Sequence, residues 1–109
     1  MREYYCIGCK IERGAFTNER TFTLELSPRL TYEGGNEGRL VGTAHFEYLR
    51  DENKKPLSPD DPPYGITIEG FVLCRTIREL KDGWIVVEVP SADIIHISMD
   101  DLVPADDDV

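Results

Sequence analysis

The sequence predicts an all-β protein: a single small antiparallel β-barrel or sandwich of about six strands with little or no helix. Apolar and polar residues alternate with a period of two over most of the chain, as in half-buried strands. Glycine, proline and Asp-Gly signals separate these segments, and no helical period extends beyond one turn after Met99. A chain of 109 residues is the size of one domain with one core. We assign that β domain to residues 1–104.

The first two strands are expected near the N-terminus. The first alternates over residues 5–12, so that Cys6 and Cys9 fall on opposite faces. The second covers residues 21–26 and ends before Pro28, because proline has no amide hydrogen for a strand ladder.

A glycine-rich loop over residues 30–38 precedes a third strand, which is expected over residues 39–49. The small residues Gly42 and Ala44 would let a neighbouring strand or sheet approach this strand closely. Residues 50–63 are polar and contain four prolines, a composition that excludes a central strand or a stable helix. That segment is therefore predicted to be an exposed loop.

The fourth strand is expected over residues 64–77, but its apolar residues before Gly70 are out of phase with those after it. Glycine permits a β-bulge, and bulges bend strands where small barrels close. A bulge at Gly70 would bring five apolar residues to one face: Ile66, Ile68, Phe71, Leu73 and Ile77. The alternative is a strand buried on both faces.

The C-terminal third predicts a hairpin and a sixth strand. Asp82-Gly83 forms a tight turn, since both residues tolerate positive backbone angles. The fifth strand covers residues 84–89, interrupted by Pro90, and the sixth covers residues 94–98 with two isoleucines on one face.

The net charge of −9 lies entirely in the second half of the chain. Residues 1–55 hold nine bases and nine acids, whereas residues 56–109 hold three bases and twelve acids. Such a balance argues against binding to nucleic acid or to an anionic membrane, because both need clustered Lys and Arg. Residues 105–109 include three aspartates and are expected to form an acidic, flexible tail that folding does not require.

The chain lacks a targeting or membrane signal in its sequence. No apolar run approaches the roughly 18 residues of a membrane helix, and the N-terminus shows no h-region of a signal peptide. Three cysteines are an odd number for a disulfide framework. These features favour a cytoplasmic protein.

The pair Cys6-Ile7-Gly8-Cys9 is the strongest motif for site chemistry. A C-x-x-C turn can supply half of a zinc site, and Cys74 with His45 or His96 could complete the ligands. However, a strand through this region separates the two thiols, and no helix follows to lower a thiolate pKa as in redox dithiols. The interpretation is that the cysteines are free and buried, with no metal and no cofactor.

A catalytic constellation is not indicated elsewhere. His96, Ser98 and Asp100 share one strand parity, yet the interpretation is that His96 is an exposed or partly covered strand residue and not part of a catalytic group. The paired carboxylates Asp60-Asp61 and Asp100-Asp101 are expected to solvate the surface. Gly34-Gly35 stands between glutamates that would repel a phosphate.

Aromatic and apolar residues suggest where a partner could bind. The outward side of the third strand (Val41, His45, Leu49) is apolar where water is expected. Most aromatic residues are expected to pack in the core or at the barrel rims. Six of them could include a recognition patch: Tyr4, Tyr32, Phe46, Tyr48, Tyr64 and Trp84.

Two functional hypotheses follow from these observations. The first is a non-catalytic protein-interaction or accessory β-barrel module with an acidic C-terminal half, whose partner is another protein, possibly with a basic surface. The second is a metal-dependent or thiol-dependent domain or enzyme that uses Cys6, Cys9 and a histidine.

Overall fold

The chain folds into one antiparallel, barrel-like sheet, which confirms the predicted all-β class. The structure is a computed structural model that describes residues 5–33 and 35–105. Tyr4, Gly34 and residues 106–109 of the expected acidic tail lie outside the described residues. In that described part of the chain, no helix is long and apolar enough to cross a membrane.

The described residues contain nine strands and three single 3-10 turns. The strands are β1 (Tyr5–Arg13), β2 (Glu19–Glu25), β3 (Leu30–Tyr32), β4 (Arg39–His45), β5 (Leu49–Asp51), β6 (Ile68–Glu79), β7 (Trp84–Glu88), β8 (Ile94–Ser98) and β9 (Val103–Pro104). The turns are Phe46–Tyr48, Lys81–Gly83 and Met99–Asp101, so the expected Asp-Gly turn and the turn after Met99 are both present.

Seven strands pair in the order β3–β8–β7–β6–β1–β2–β4, and the curled sheet is nearly closed. The short strands β5 and β9 pair with β6 and β1. The long strand β6 changes partner along its length: β5 pairs with residues 70–72, and β7 pairs with residues 75–79. The two partners therefore diverge beside Leu73 and Cys74.

The core lies inside this curled sheet and contains the alternating residues predicted from the sequence. Phe22, Leu24, Ile95 and Ile97 are fully buried. At Gly42 an added Cβ would lie 2.6 Å from the Phe22 ring and 2.7 Å from the Ser91 hydroxyl. The close approach at Gly42 is therefore made by a side chain of the paired strand β2 and by a residue of the loop between β7 and β8.

The predicted third strand is wrong in its extent. β4 ends at His45, where the imidazole Nδ1 accepts a hydrogen bond of 3.2 Å from the backbone amide of Glu47. The resulting turn over Phe46–Tyr48 breaks the alternation, and a separate strand, β5, follows. The loop predicted over residues 30–38 likewise contains a short strand, β3, which pairs with β8.

The predicted bulge at Gly70 is also wrong. The pairing between β1 and β6 is continuous through Gly70, and the register shift lies further on, between Thr76 and Arg78. Val72 and Cys74 are buried on the inner face, and Phe71 and Leu73 are half-buried on the other. This is closer to the alternative of a strand covered on both faces.

The proline-rich segment is not simply an exposed loop. Leu57 is buried and Pro62 is fully buried, so residues 57–62 cover one end of the barrel. Arg50, at the start of the segment, is only 7% exposed.

Candidate functional site

The three cysteines are buried and free, and β1 runs through Cys6 and Cys9 without a turn. Cys9 lies opposite Gly70, and Cys74 lies opposite Tyr5 on the same face of the paired strands. Cys6 lies on the other face, where its Sγ contacts the carbonyl oxygen of Val103 at 3.5 Å. The C-x-x-C pair therefore does not form the tight turn that a zinc site requires.

The environment of these thiols keeps them protonated at neutral pH. Burial raises the pKa of Cys9 and the pKa of Cys74 to about 12. Burial also raises the pKa of Cys6, and the positive charges of Lys54 and Arg50 offset part of that effect. Among residues 5–33 and 35–105, no three His, Cys, Asp or Glu side chains are grouped to hold a metal ion.

We expect the purified protein to contain no stoichiometric zinc and its thiols to react slowly in the native state. The physical reason is that zinc ligation and alkylation both need the thiolate, which burial disfavours here. Elemental analysis and iodoacetamide labelling at pH 8, native against urea-unfolded, measure both properties. Roughly one zinc per chain, lost together with stability in Cys6→Ser, would reverse the assignment.

In the described part of the chain, no hydrogen bond between two side chains joins the residues of the possible triad, His96, Ser98 and Asp100. His96 is exposed on β8, with Val86 and Thr31 as its cross-strand neighbours. The Ser98 hydroxyl accepts a hydrogen bond of 3.4 Å from the backbone amide of Asp100, so it caps the following turn.

The predicted apolar outer face of the third strand is only partly present. Val41 is 59% exposed and His45 is exposed. Leu49 is fully buried, because the turn at Phe46–Tyr48 redirects the chain before it. A surface built on all three residues is therefore excluded.

One end of the barrel is closed by two loops, residues 14–18 and 58–67, which we call the loop end. The fully buried Arg20 ties them together with four hydrogen bonds from its guanidinium to backbone carbonyls. The acceptors are Asp61 at 2.8 Å and Thr17, Glu19 and Pro59 at 2.9 Å each. Arg13 adds bonds to the carbonyls of Pro62 at 2.7 Å, Pro59 at 3.2 Å and Thr17 at 3.3 Å, and lies 4.6 Å above the Tyr64 ring.

Apolar side chains project from these pinned loops into solvent. Phe16 is 73% exposed, Tyr64 is 70% exposed and Ile66 is 50% exposed. Asp60 and Asp61 are exposed beside them, and the two loops contain no Lys or Arg. The loop end is thus an apolar surface with Asp60 and Asp61 at its border and the Arg13 guanidinium over the Tyr64 ring.

A groove of about 550 Å³ lies elsewhere, where β5 and β7 diverge along β6. Its apolar lining includes Leu73, Val89 and Pro90. Two charged residues at its border, Arg75 and Glu88, are paired with each other by a hydrogen bond of 2.8 Å.

Arg50 lines this groove and is the buried cation that sequence reasoning missed. Its Nη1 donates to the carbonyls of Glu47 at 3.0 Å and Leu49 at 3.1 Å. Its Nε is buried and has no hydrogen-bond partner in the described residues. No sequence pattern indicates that Arg50 is buried, because its burial depends on the turn over Phe46–Tyr48, which hydrophobic alternation does not predict.

Comparisons with known protein families, with curated proteins and with solved structures find no match to this chain.

Proposed function

We propose that the protein is a non-catalytic interaction module that docks on a basic surface of another protein through its loop end. The observation that carries the proposal is the exposure of Phe16, Tyr64 and Ile66 on loops that Arg13 and Arg20 hold in place. Large apolar side chains on a fixed surface are typical of recognition sites.

Preorganisation supports this role. Ordering two flexible loops on binding would cost free energy, whereas here buried arginine bonds to backbone carbonyls already order them. The fixed position of the loop end leaves its apolar surface available without that cost.

The charge around the loop end supports a basic partner. Asp60 and Asp61 border the apolar side chains, and residues 56–109 carry twelve acids against three bases. Acidic borders attract basic surfaces and accelerate association at low ionic strength.

We expect a double variant, Phe16→Ser with Ile66→Ser, to lose the partner while keeping the fold, because both side chains face solvent. Immobilised wild-type protein should retain a basic protein from a lysate of the source cell, and the double variant should not. Retention by the wild type should fall as salt screens the acidic border.

The matched control is Val41→Ser with Ile94→Ser, which removes comparably exposed apolar side chains from β4 and β8. This control should retain the same protein as the wild type. Equal retention by the loop-end variant, or retention of acidic proteins alone, would contradict the proposal, as would failure of the wild type to retain any basic protein.

A further inference from the structure

The groove between β5 and β7 contains a buried charge without a counterion. Arg50 is 7% exposed, and in the part of the chain that the structure describes no carboxylate forms an ion pair with it. Buried arginines are normally paired, because an uncompensated charge in a protein interior costs several kcal/mol. A negative group beside the guanidinium would offset that cost.

The hydrogen-bond pattern of Arg50 defines which edge of the guanidinium lacks a partner. The Nε at that edge is buried, so the side chain has to shift slightly for a ligand in the groove to reach it. Both described bonds use Nη1, which leaves Nε and Nη2 without partners among the described residues. Nε and Nη2 donate from one side of the planar group, and that pair of parallel donors matches the two oxygens of a carboxylate.

The rest of the groove favours an apolar group attached to that carboxylate. Leu73, Val89 and Pro90 line it, and its volume of about 550 Å³ is within the range of small-molecule sites. The carboxylates of Glu47 and Glu88 also border it, and they would repel a ligand with two or more negative charges more strongly than a ligand with one.

We propose that this groove binds a small monocarboxylate with an apolar tail, held by the Nε and Nη2 edge of Arg50. The site is separate from the loop end, and it does not depend on the proposed docking function. A single charge satisfies the buried guanidinium, while the tail covers the apolar wall formed by β6 and the segment after β7.

The direct test is titration of the full-length protein with hexanoate, followed by nitrogen-15 NMR of the arginine Nε–H groups. The Arg50 signal is identified as the one that disappears in Arg50→Lys. Hexanoate should shift this signal in a saturable way, because its carboxylate becomes a new acceptor for Nε–H. Hexanol, which has the tail without the charge, and inorganic phosphate, which has charge without the tail, should shift it far less.

Two variants distinguish the role of the parallel Nε and Nη2 donors of Arg50 from the role of its charge alone. Arg50→Lys keeps the charge but not the parallel donors, so hexanoate binding should weaken by about tenfold or more. Arg39→Lys is the matched control, since Arg39 pairs with Glu25 on the exposed surface of β4, and it should change hexanoate binding by less than about twofold. The thermal midpoint of each variant establishes that it is folded, and the wild-type Nε–H shift does not depend on how tightly the variants bind hexanoate.

An Arg50 Nε–H signal that hexanoate leaves unchanged would overturn the proposal. Equal shifts with phosphate would assign the site to inorganic anions, and equal shifts with hexanol would remove the role of the charge. Either result would also overturn it.

Discussion

Replacement of Arg20 by Met should destabilise the protein by at least about 3 kcal/mol, since hydrogen bonds to a charged donor contribute about 1.5–3 kcal/mol each and do not add fully. Arg20 is fully buried and donates to four backbone carbonyls. Without the guanidinium these carbonyls lose their partner, and the two loops of the loop end lose their connection. Urea unfolding followed by the fluorescence of Trp84 measures the change.

Arg39→Met is the control for this prediction. The Arg39 side chain is 68% exposed and pairs with Glu25, so its removal should cost less than about 1 kcal/mol. Arg20→Lys should fall between the two, because lysine keeps the charge but cannot reach four carbonyls in the same geometry. If Arg20→Met unfolds at the same urea concentration as Arg39→Met, then Arg20 does not hold the loops.

The strand pattern could be predicted from the sequence wherever one face of a strand is buried and the other is solvated. β8 was expected over residues 94–98, and the structure has it at Ile94–Ser98. β1 and β2 were found in the expected places, because period-two alternation directly reflects burial on one side of a sheet.

Prediction failed where backbone contacts rather than burial decide the path. The turn at Phe46–Tyr48 depends on a hydrogen bond from the Glu47 amide to His45, and no hydrophobic pattern records such a bond. The apolar residues around Gly70 are out of phase because both faces of β6 are covered there: Val72 is buried on one face, and Phe71 and Leu73 are half-buried on the other. The covering of the second face is set by distant parts of the chain.

The two buried arginines differ in whether the sequence pattern indicates their burial. Arg20 shares its parity with Phe22 and Leu24, so a longer second strand would have placed it in the core. Arg50 has no such signal, since its burial follows from the turn before it and the pairing of β5 with β6. The groove at Arg50 therefore became visible only with the fold.

Gly70→Ala should destabilise the protein by about 2–3 kcal/mol, because a side chain at this position overpacks a core that has no space for it. A Cβ on Gly70 would press against the carbonyl oxygen of Arg50 and lie 2.7 Å from Cδ1 of Ile11. Backbone cannot rotate away as a long side chain can, so β5 would have to separate from β6. Gly8 lies in the neighbouring strand, and there an added Cβ would be 4.0 Å from the nearest atom, on the Phe71 ring.

Gly8→Ala should therefore change the free energy of unfolding by less than about 1 kcal/mol, and it could even raise stability by restricting the unfolded chain. Thermal unfolding of the two variants side by side measures this difference, since a loss of 2–3 kcal/mol corresponds to a fall of roughly 8–20 °C in Tm for a domain of this size. Because the same displacement would move Arg50, Gly70→Ala should also weaken hexanoate binding while Gly8→Ala should not. Equal midpoints for the two alanine variants would show that β5 does not depend on the close approach at Gly70.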